Sequence, residues 1–167
     1  ITFRILANGK VTLVPRGGMP QWARVDNLSF DGDGNLTVSM EGNNGFRRGV
    51  IFDASLEGSD KKLTIIARQD GLVPVLESPS PYRTVKGSEG SDVQFVVNTN
   101  IPVEEIRVTS EYMSGNENWM SGLDFDGELL VLSATANPGN ASRKAGVNLE
   151  YTDGWNVTHK VSLYLTQ

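Results

Sequence analysis

The sequence predicts an all-β protein made of two antiparallel β-sandwiches in tandem. Three observations carry this. Apolar residues alternate with polar ones in short runs, as at Leu36, Val38 and Met40 or Leu63, Ile65 and Ala67. Period two is the spacing of a strand with one buried and one wet face. Clusters of Gly, Asn, Asp and Pro separate the runs, and no stretch of about 12 residues holds a helical period. Finally, the chain repeats itself. Trp22 and Trp119 lie 97 residues apart, as do Gly49-Val50 and Gly146-Val147, and Gln69 recurs as Gln167 after 98. A length of 167 residues accommodates two small domains.

Between these anchors the copies match in order. A Phe-Asp-Gly turn follows each Trp, at Phe30-Asp31-Gly32 and Phe125-Asp126-Gly127. An alternating strand comes next, with Leu36, Val38 and Met40 set against Leu132, Ala134 and Ala136. A loop rich in Asn and Gly follows, at 42–45 and 137–140. Val50, Phe52 and Ala54 then match Val147, Leu149 and Tyr151, and Leu63, Ile65 and Ala67 match Val161, Leu163 and Leu165. Period-2 strands between turn clusters fit two seven-strand sandwiches.

The copies differ at the front. The second, taken as 71–167, offers a first strand at 72–76, a Pro/Ser/Gly loop at 78–91, and strands at 93–97 and 103–108. The first, taken as 1–70, offers only 3–6, an Asn8-Gly9 turn and 11–14. Asn-Gly is a strong hairpin signal, so these two strands are expected to form a hairpin matching the second and third strands of copy two. Copy one thus lacks its first strand. Fewer than seven strands are expected within 1–70, with an exposed or foreign-paired edge near residues 1–6. The boundary at Gln69-Asp70-Gly71 has no long linker, which predicts a stiff tandem.

Several residues carry a resemblance. In copy two they are Trp119-Met120, the strand at 132–136, Asn137-Pro138-Gly139-Asn140, Arg143 to Val147, and 161–167. In copy one they are Trp22-Ala23, 36–40, Arg47 to Val50, and 63–69. Over 45–50 residues of each copy this pattern resembles the BACON-type immunoglobulin-like domains of exported Bacteroidetes proteins. The family's earlier Trp is replaced near Val103 to Ile106. The resemblance implies an exported bacterial protein, at the outer-membrane surface or in the periplasm. It also implies a spacer role or carbohydrate and mucin binding, and it brings no catalytic residues.

Composition removes other classes. There are 0 Cys, so no disulfide framework, thiol nucleophile or Cys-ligated zinc. The single His159 leaves no His-pair metal site. A net charge of −5 disfavours a nucleic-acid footprint. The charge divides as nine basic and eight acidic residues in 1–70, and six and twelve in 71–167. No apolar run reaches the roughly 18 residues of a membrane span. The start at Ile1 fits a processed precursor or a trimmed chain equally.

Candidate sites are few. Asp31-Gly32-Asp33-Gly34-Asn35 opens like a calcium loop, but positions six and twelve are Leu36 and Gly42, so a turn is expected instead. Trp22 and Trp119 recur at one position of the repeat and are expected in the core. Trp155, after Asp153-Gly154, stands where copy one reads Glu57-Gly58-Ser59-Asp60. The fold does not require an aromatic there. With Asn156 and His159 nearby, and with Tyr112, Asn116 and Asn118 in another variable loop, it is the candidate glycan or protein contact. The alternative is a Trp folded back over a sandwich end, and Phe46 has similar status. Glu104 and Glu105 alternate on an expected strand, so they face opposite ways. Arg47-Arg48 and Lys61-Lys62 read as end charges. The sequons at Asn27, Asn35, Asn140 and Asn156 read as chance in a bacterial chain.

The function expected is a non-enzymatic surface or periplasmic adhesion module with no cofactor. It would act as a stiff spacer contacting a surface protein through its loops. The alternative is a polysaccharide-binding module using Trp155, Asn156, His159 and Tyr112. No nucleophile–base pair or metal constellation is readable.

Overall fold

The computed structural model describes residues 1–87, 90–114, 118–139 and 141–167. The chain is all-β and forms two immunoglobulin-like sandwiches. Unit 1 comprises Ile1–Val73 with Asp153–Val157, and unit 2 comprises Pro74–Thr152 with Thr158–Gln167.

Unit 1 contains β1 (Thr2–Ile5), β2 (Lys10–Pro15), β3 (Ala23–Val25), β4 (Ser29–Asp31), β5 (Gly34–Met40), β6 (Arg48–Leu56) and β7 (Lys62–Gln69). One sheet runs β1-β5-β3 and the other β4-β2-β6-β7, all antiparallel. The period-2 residues meet between the sheets. Val11 and Leu13, Leu36 and Val38, Val50 and Phe52, and Ile65 and Ala67 form one buried cluster. Burying an apolar side chain of this size contributes roughly 1.5–3 kcal/mol, which makes that cluster the main support of the unit.

Unit 2 contains β8 (Leu76–Glu77), β9 (Tyr82–Thr84), β10 (Ser91–Val96), β11 (Asn98–Thr99), β12 (Arg107–Ser114), β13 (Met120–Phe125), β14 (Leu129–Ala134), β15 (Lys144–Thr152) and β16 (Thr158–Thr166). Its sheets run β10-β14-β13 and β12-β15-β16-β9, with a small β11-β8 pair. Phe95, Leu130, Leu132, Val147, Leu149, Leu163 and Leu165 fill the core.

Four expectations are corrected. Asn8-Gly9 is not a hairpin turn, because β1 pairs with β5 while β2 pairs with β4 and β6. The four residues between them carry the chain from one sheet to the other. The corner is held by the Asp31–Gly34 turn: Gly32 N–H donates to Gly9 C=O, and Ala7 N–H to the Asp33 carboxylate. The expected strand at 103–108 opens instead as a 3-10 turn at Val103–Glu105, placing Glu104 and Glu105 outside any strand. The expected strand at 72–76 pairs only from Leu76, with Leu72 in an isolated bridge to Phe46.

The fourth correction concerns strand number. Seven strands form within 1–70, not fewer. Both large sheets are four-stranded, but they are extended at opposite flanks. In unit 1 the added strand is β4, beside β2; in unit 2 it is β9, parallel to β16. Among the described residues, β7 pairs with β6 alone.

The register of the repeat also shifts. Arg48 lies opposite Gln69, and Arg143 exchanges backbone hydrogen bonds with Gln167. Val50 and Phe52 therefore correspond to Ala145 and Val147, not to Val147 and Leu149. Likewise Glu41 N–H bonds Trp22 C=O as Thr135 N–H bonds Trp119 C=O, so Leu36 and Val38 correspond to Leu130 and Leu132.

Candidate functional site

The turn at Asp153–Val157 is built around one carboxylate. The Asp153 side chain is fully buried and ion-paired with Arg47. Its Oδ1 accepts the backbone N–H groups of Trp155 at 2.9 Å and Val157 at 3.0 Å. A buried carboxylate is tolerated only when paired and hydrogen-bonded, and both conditions hold. Asn156 is exposed at φ 61°, a left-handed position that Asn accepts more readily than most residues.

Trp155 is half-buried. Its indole N–H donates to Gln69 C=O at 3.1 Å, and the guanidinium groups of Arg47 and Arg68 lie over its ring at 4.9 and 5.3 Å. Cation–π contact of this kind favours a held ring. A sugar stacking on that ring has to share a face with a guanidinium. The sequence signalled none of these partners, because Arg47, Arg68 and Gln69 lie more than eighty residues away.

The other candidate residues have separate settings. His159 is half-buried opposite Tyr151, ring centroids 6.2 Å apart. Tyr112 lies on β12, its hydroxyl 3.3 Å from Met120 C=O and its ring 6.1 Å from Trp119. Asn118 is exposed, while Asn116 and Asn140 fall outside the described residues. Trp119 is 2% exposed and Trp22 half-buried. A shallow cleft of about 340 Å³ in unit 1 is lined by Arg16, Met19, Trp22, Asp153 and Asn156. Asp33 and Asp31 make no metal-binding group with a third acidic or His ligand among the described residues.

The recurrent polar residues form a cluster that the sequence offered only as anchors. Arg48 Nε donates to Gln69 Oε1 at 2.8 Å, and Gln69 Nε2 to Glu41 C=O at 2.7 Å. In unit 2 Arg143 Nε donates to Gln167 Oε1 at 2.8 Å, and Gln167 Nε2 to Thr135 C=O at 3.1 Å. Each guanidinium lies over the Trp of its own unit, at 4.1 and 4.6 Å.

The sequence matches no protein-family model and no curated protein sequence. Solved structures with similar strand arrangements include a family 107 endo-fucoidan hydrolase, at TM-score 0.36, 16% identity and 93% of this chain. An I-band titin fragment, I67–I69, matches at 0.39 and 14% over 99% of the chain. A chimeric titin Z1Z2 tandem matches at 0.46 and 10%, covering 99% of this chain and 90% of that one. The chain spans 23% of the hydrolase and 58% of the I-band fragment. The fold stated above stands on the chain's own strand pairing. No helix among the described residues is long and apolar enough to cross a membrane.

Proposed function

We propose that this chain is a non-enzymatic structural or adhesion module, a spacer with sandwiches at 1–70 and 71–167. In this reading it belongs to a larger exported bacterial protein of the BACON-like type, at the cell surface or in the periplasm. It meets other surface proteins through its loops. The observation that supports this most is the setting of Trp155. The aromatic that best suited a ligand has its indole N–H committed to Gln69 C=O and two guanidinium groups over its ring.

A second reading is a carbohydrate-binding module. The exposed Asn156 beside the Trp22 cleft favours it, and Trp155, His159 and Tyr112 are its remaining candidates. A glycan array and a mucin pull-down comparing the wild-type chain with Trp155→Ala and Asn156→Ala separate the two. The spacer reading expects no glycan retained by any of them. Wild-type binding that Asn156→Ala abolishes, with thermal unfolding unchanged, replaces it with the second reading.

A further inference from the structure

The four-stranded sheets of the two units differ at one flank for a reason inside the chain. In unit 1 the chain leaves β3 at Val25, and β4 crosses over to lie beside β2, where Leu13 N–H donates to Leu28 C=O. In unit 2 the matching segment stays in the other sheet: β13 remains on β14 through Asp124 and Phe125, opposite Val131 and Leu130. Val108, opposite Leu149, holds the place of Leu13, opposite Ala54. Among the described residues β12 pairs with β15 alone, and its other edge carries no strand.

The direction of the edge's backbone groups follows from the sheet. Arg143 and Gln167 exchange backbone hydrogen bonds. Alternate residues of β15 therefore face β16, and the intervening Gly146, Asn148 and Glu150 face β12. These lie opposite Glu111, Thr109 and Arg107, so the N–H and C=O groups of Val108 and Ser110 point out from the open edge. Val108 lies opposite buried Leu149, which leaves Arg107, Thr109 and Glu111 on the outer face of the sheet. Arg107 and Glu111 are exposed, and neither makes an ion pair among the described residues. Glu150, opposite Arg107, is held by Lys160 at 3.1 Å. An edge charged with one sign repels a second copy of itself. Here opposite signs stand symmetrically about Thr109, so the edge complements itself. An antiparallel pair centred on Thr109 sets Arg107 of each copy against Glu111 of the other. Both fall at non-hydrogen-bonded positions, where side chains come closest. Centring on Ser110 sets Glu111 against Thr109 instead, and centring on Glu111 sets like charges together. The bulge between Tyr112 and Ser114 lies past this segment, so the stretch that pairs is regular.

We propose that the β12 edge of unit 2 is a docking surface for a second copy of this chain. The β12 strands of the two copies run antiparallel about a two-fold axis at Thr109, joining their sheets into one. Val108 of each copy exchanges both backbone hydrogen bonds with Ser110 of the other. Arg107 and Glu111 form reciprocal ion pairs across the joint, and the Thr109 side chains meet on the axis. An isologous joint of this kind closes at a dimer. It goes beyond a spacer role, stands on the strands of unit 2, and holds whether or not the chain binds a glycan.

The test is sedimentation equilibrium of the wild-type chain and of the variants Arg107→Glu and Glu111→Arg, each alone and then mixed in equal amounts. Residue-resolved hydrogen exchange follows the Val108 and Ser110 amides. The wild type is expected to form a dimer, with exchange at both amides slowing as protein concentration rises. Either variant alone turns the attractive pairs into repulsive ones and is expected to raise the dissociation constant by about tenfold or more. Mixing the variants restores opposite charges at every pair and is expected to return the dimer as a heterodimer, which unfolded variants cannot do. A wild type that stays monomeric at every concentration overturns the proposal. So does a dimer that neither variant weakens, one that mixing fails to restore, or one in which the Ser110 amide exchanges as in the monomer.

Discussion

The guanidinium of Arg48 lies 4.1 Å from the centre of the Trp22 ring, and Arg143 repeats this over Trp119 at 4.6 Å. In each unit the same Arg also holds the closing Gln, which bonds back to the carbonyl just after the central strand of the three-stranded sheet, Glu41 after β5 or Thr135 after β14. One planar, five-donor group thus ties together the Trp, the end of the last strand and the end of a strand in the opposite sheet. Lysine has neither the fork nor the flat face. Arg143→Lys is therefore expected to destabilise unit 2 by about 2 kcal/mol, the scale of hydrogen bonds to a charged group. A lower urea midpoint at unchanged slope would show it.

Trp119 is buried, and its indole N–H has no acceptor among the described residues. An orphan donor costs about 1–3 kcal/mol. Trp119→Phe removes the donor while keeping a ring under Arg143, and the gain offsets part of the lost volume. Trp119→Ala loses the ring outright, at about 3–5 kcal/mol. The two variants, compared by thermal unfolding, are expected to differ severalfold, with Phe the milder.

Asp153 satisfies Arg47 and two backbone N–H groups from inside the protein. Asp153→Ala strands all three and is expected to cost about 3–5 kcal/mol, the range for breaking a buried pair by removing one partner. Asp153→Asn keeps an acceptor for the backbone and should fall between wild type and Ala. Trp155 fluorescence, read during denaturation, reports the loss of the ordered turn.

Asp126 is held below the usual carboxylate range by the N–H groups of Leu129 and Glu128, and Asp53 by its hydrogen bond from Arg16. A depressed folded pKa means the unfolded chain binds protons first as pH falls. The stabilisation is complete above the ordinary Asp value, about 3.9, and is lost as pH drops through the folded values. Melting temperature should decline below that point, and less steeply in the double variant Asp53→Asn, Asp126→Asn. An unchanged slope would remove both groups from the acid response.

Much of the fold was legible because a strand's two faces write themselves into the sequence. Leu36 and Val38, Val50 and Phe52, and Ile65 and Ala67 all occupy the core their alternation assigned. The same property hid the register. A shift of two residues returns every side chain to the same face, so matching Val50 to Val147 satisfied the pattern as well as the observed match to Ala145. Partner choice was hidden too. Asn8-Gly9 carries the local signature of a hairpin, but β1 and β2 gain more by joining different sheets around one core.

The sequence by itself determined an all-β chain, its internal repeat, the inward placement of Leu36, Val38, Val50, Phe52, Ile65 and Ala67, and the turns at Phe30-Asp31-Gly32 and Phe125-Asp126-Gly127. Those properties depend on neighbours a few residues apart. The tertiary structure decided what long-range pairing alone can set. It brought Arg48 to Trp22 and Gln69, committed the Trp155 N–H to a carbonyl eighty-six residues away, and laid β9 parallel to β16 in unit 2. Hydrogen-bond partners across a sheet are chosen by geometry that no local pattern encodes.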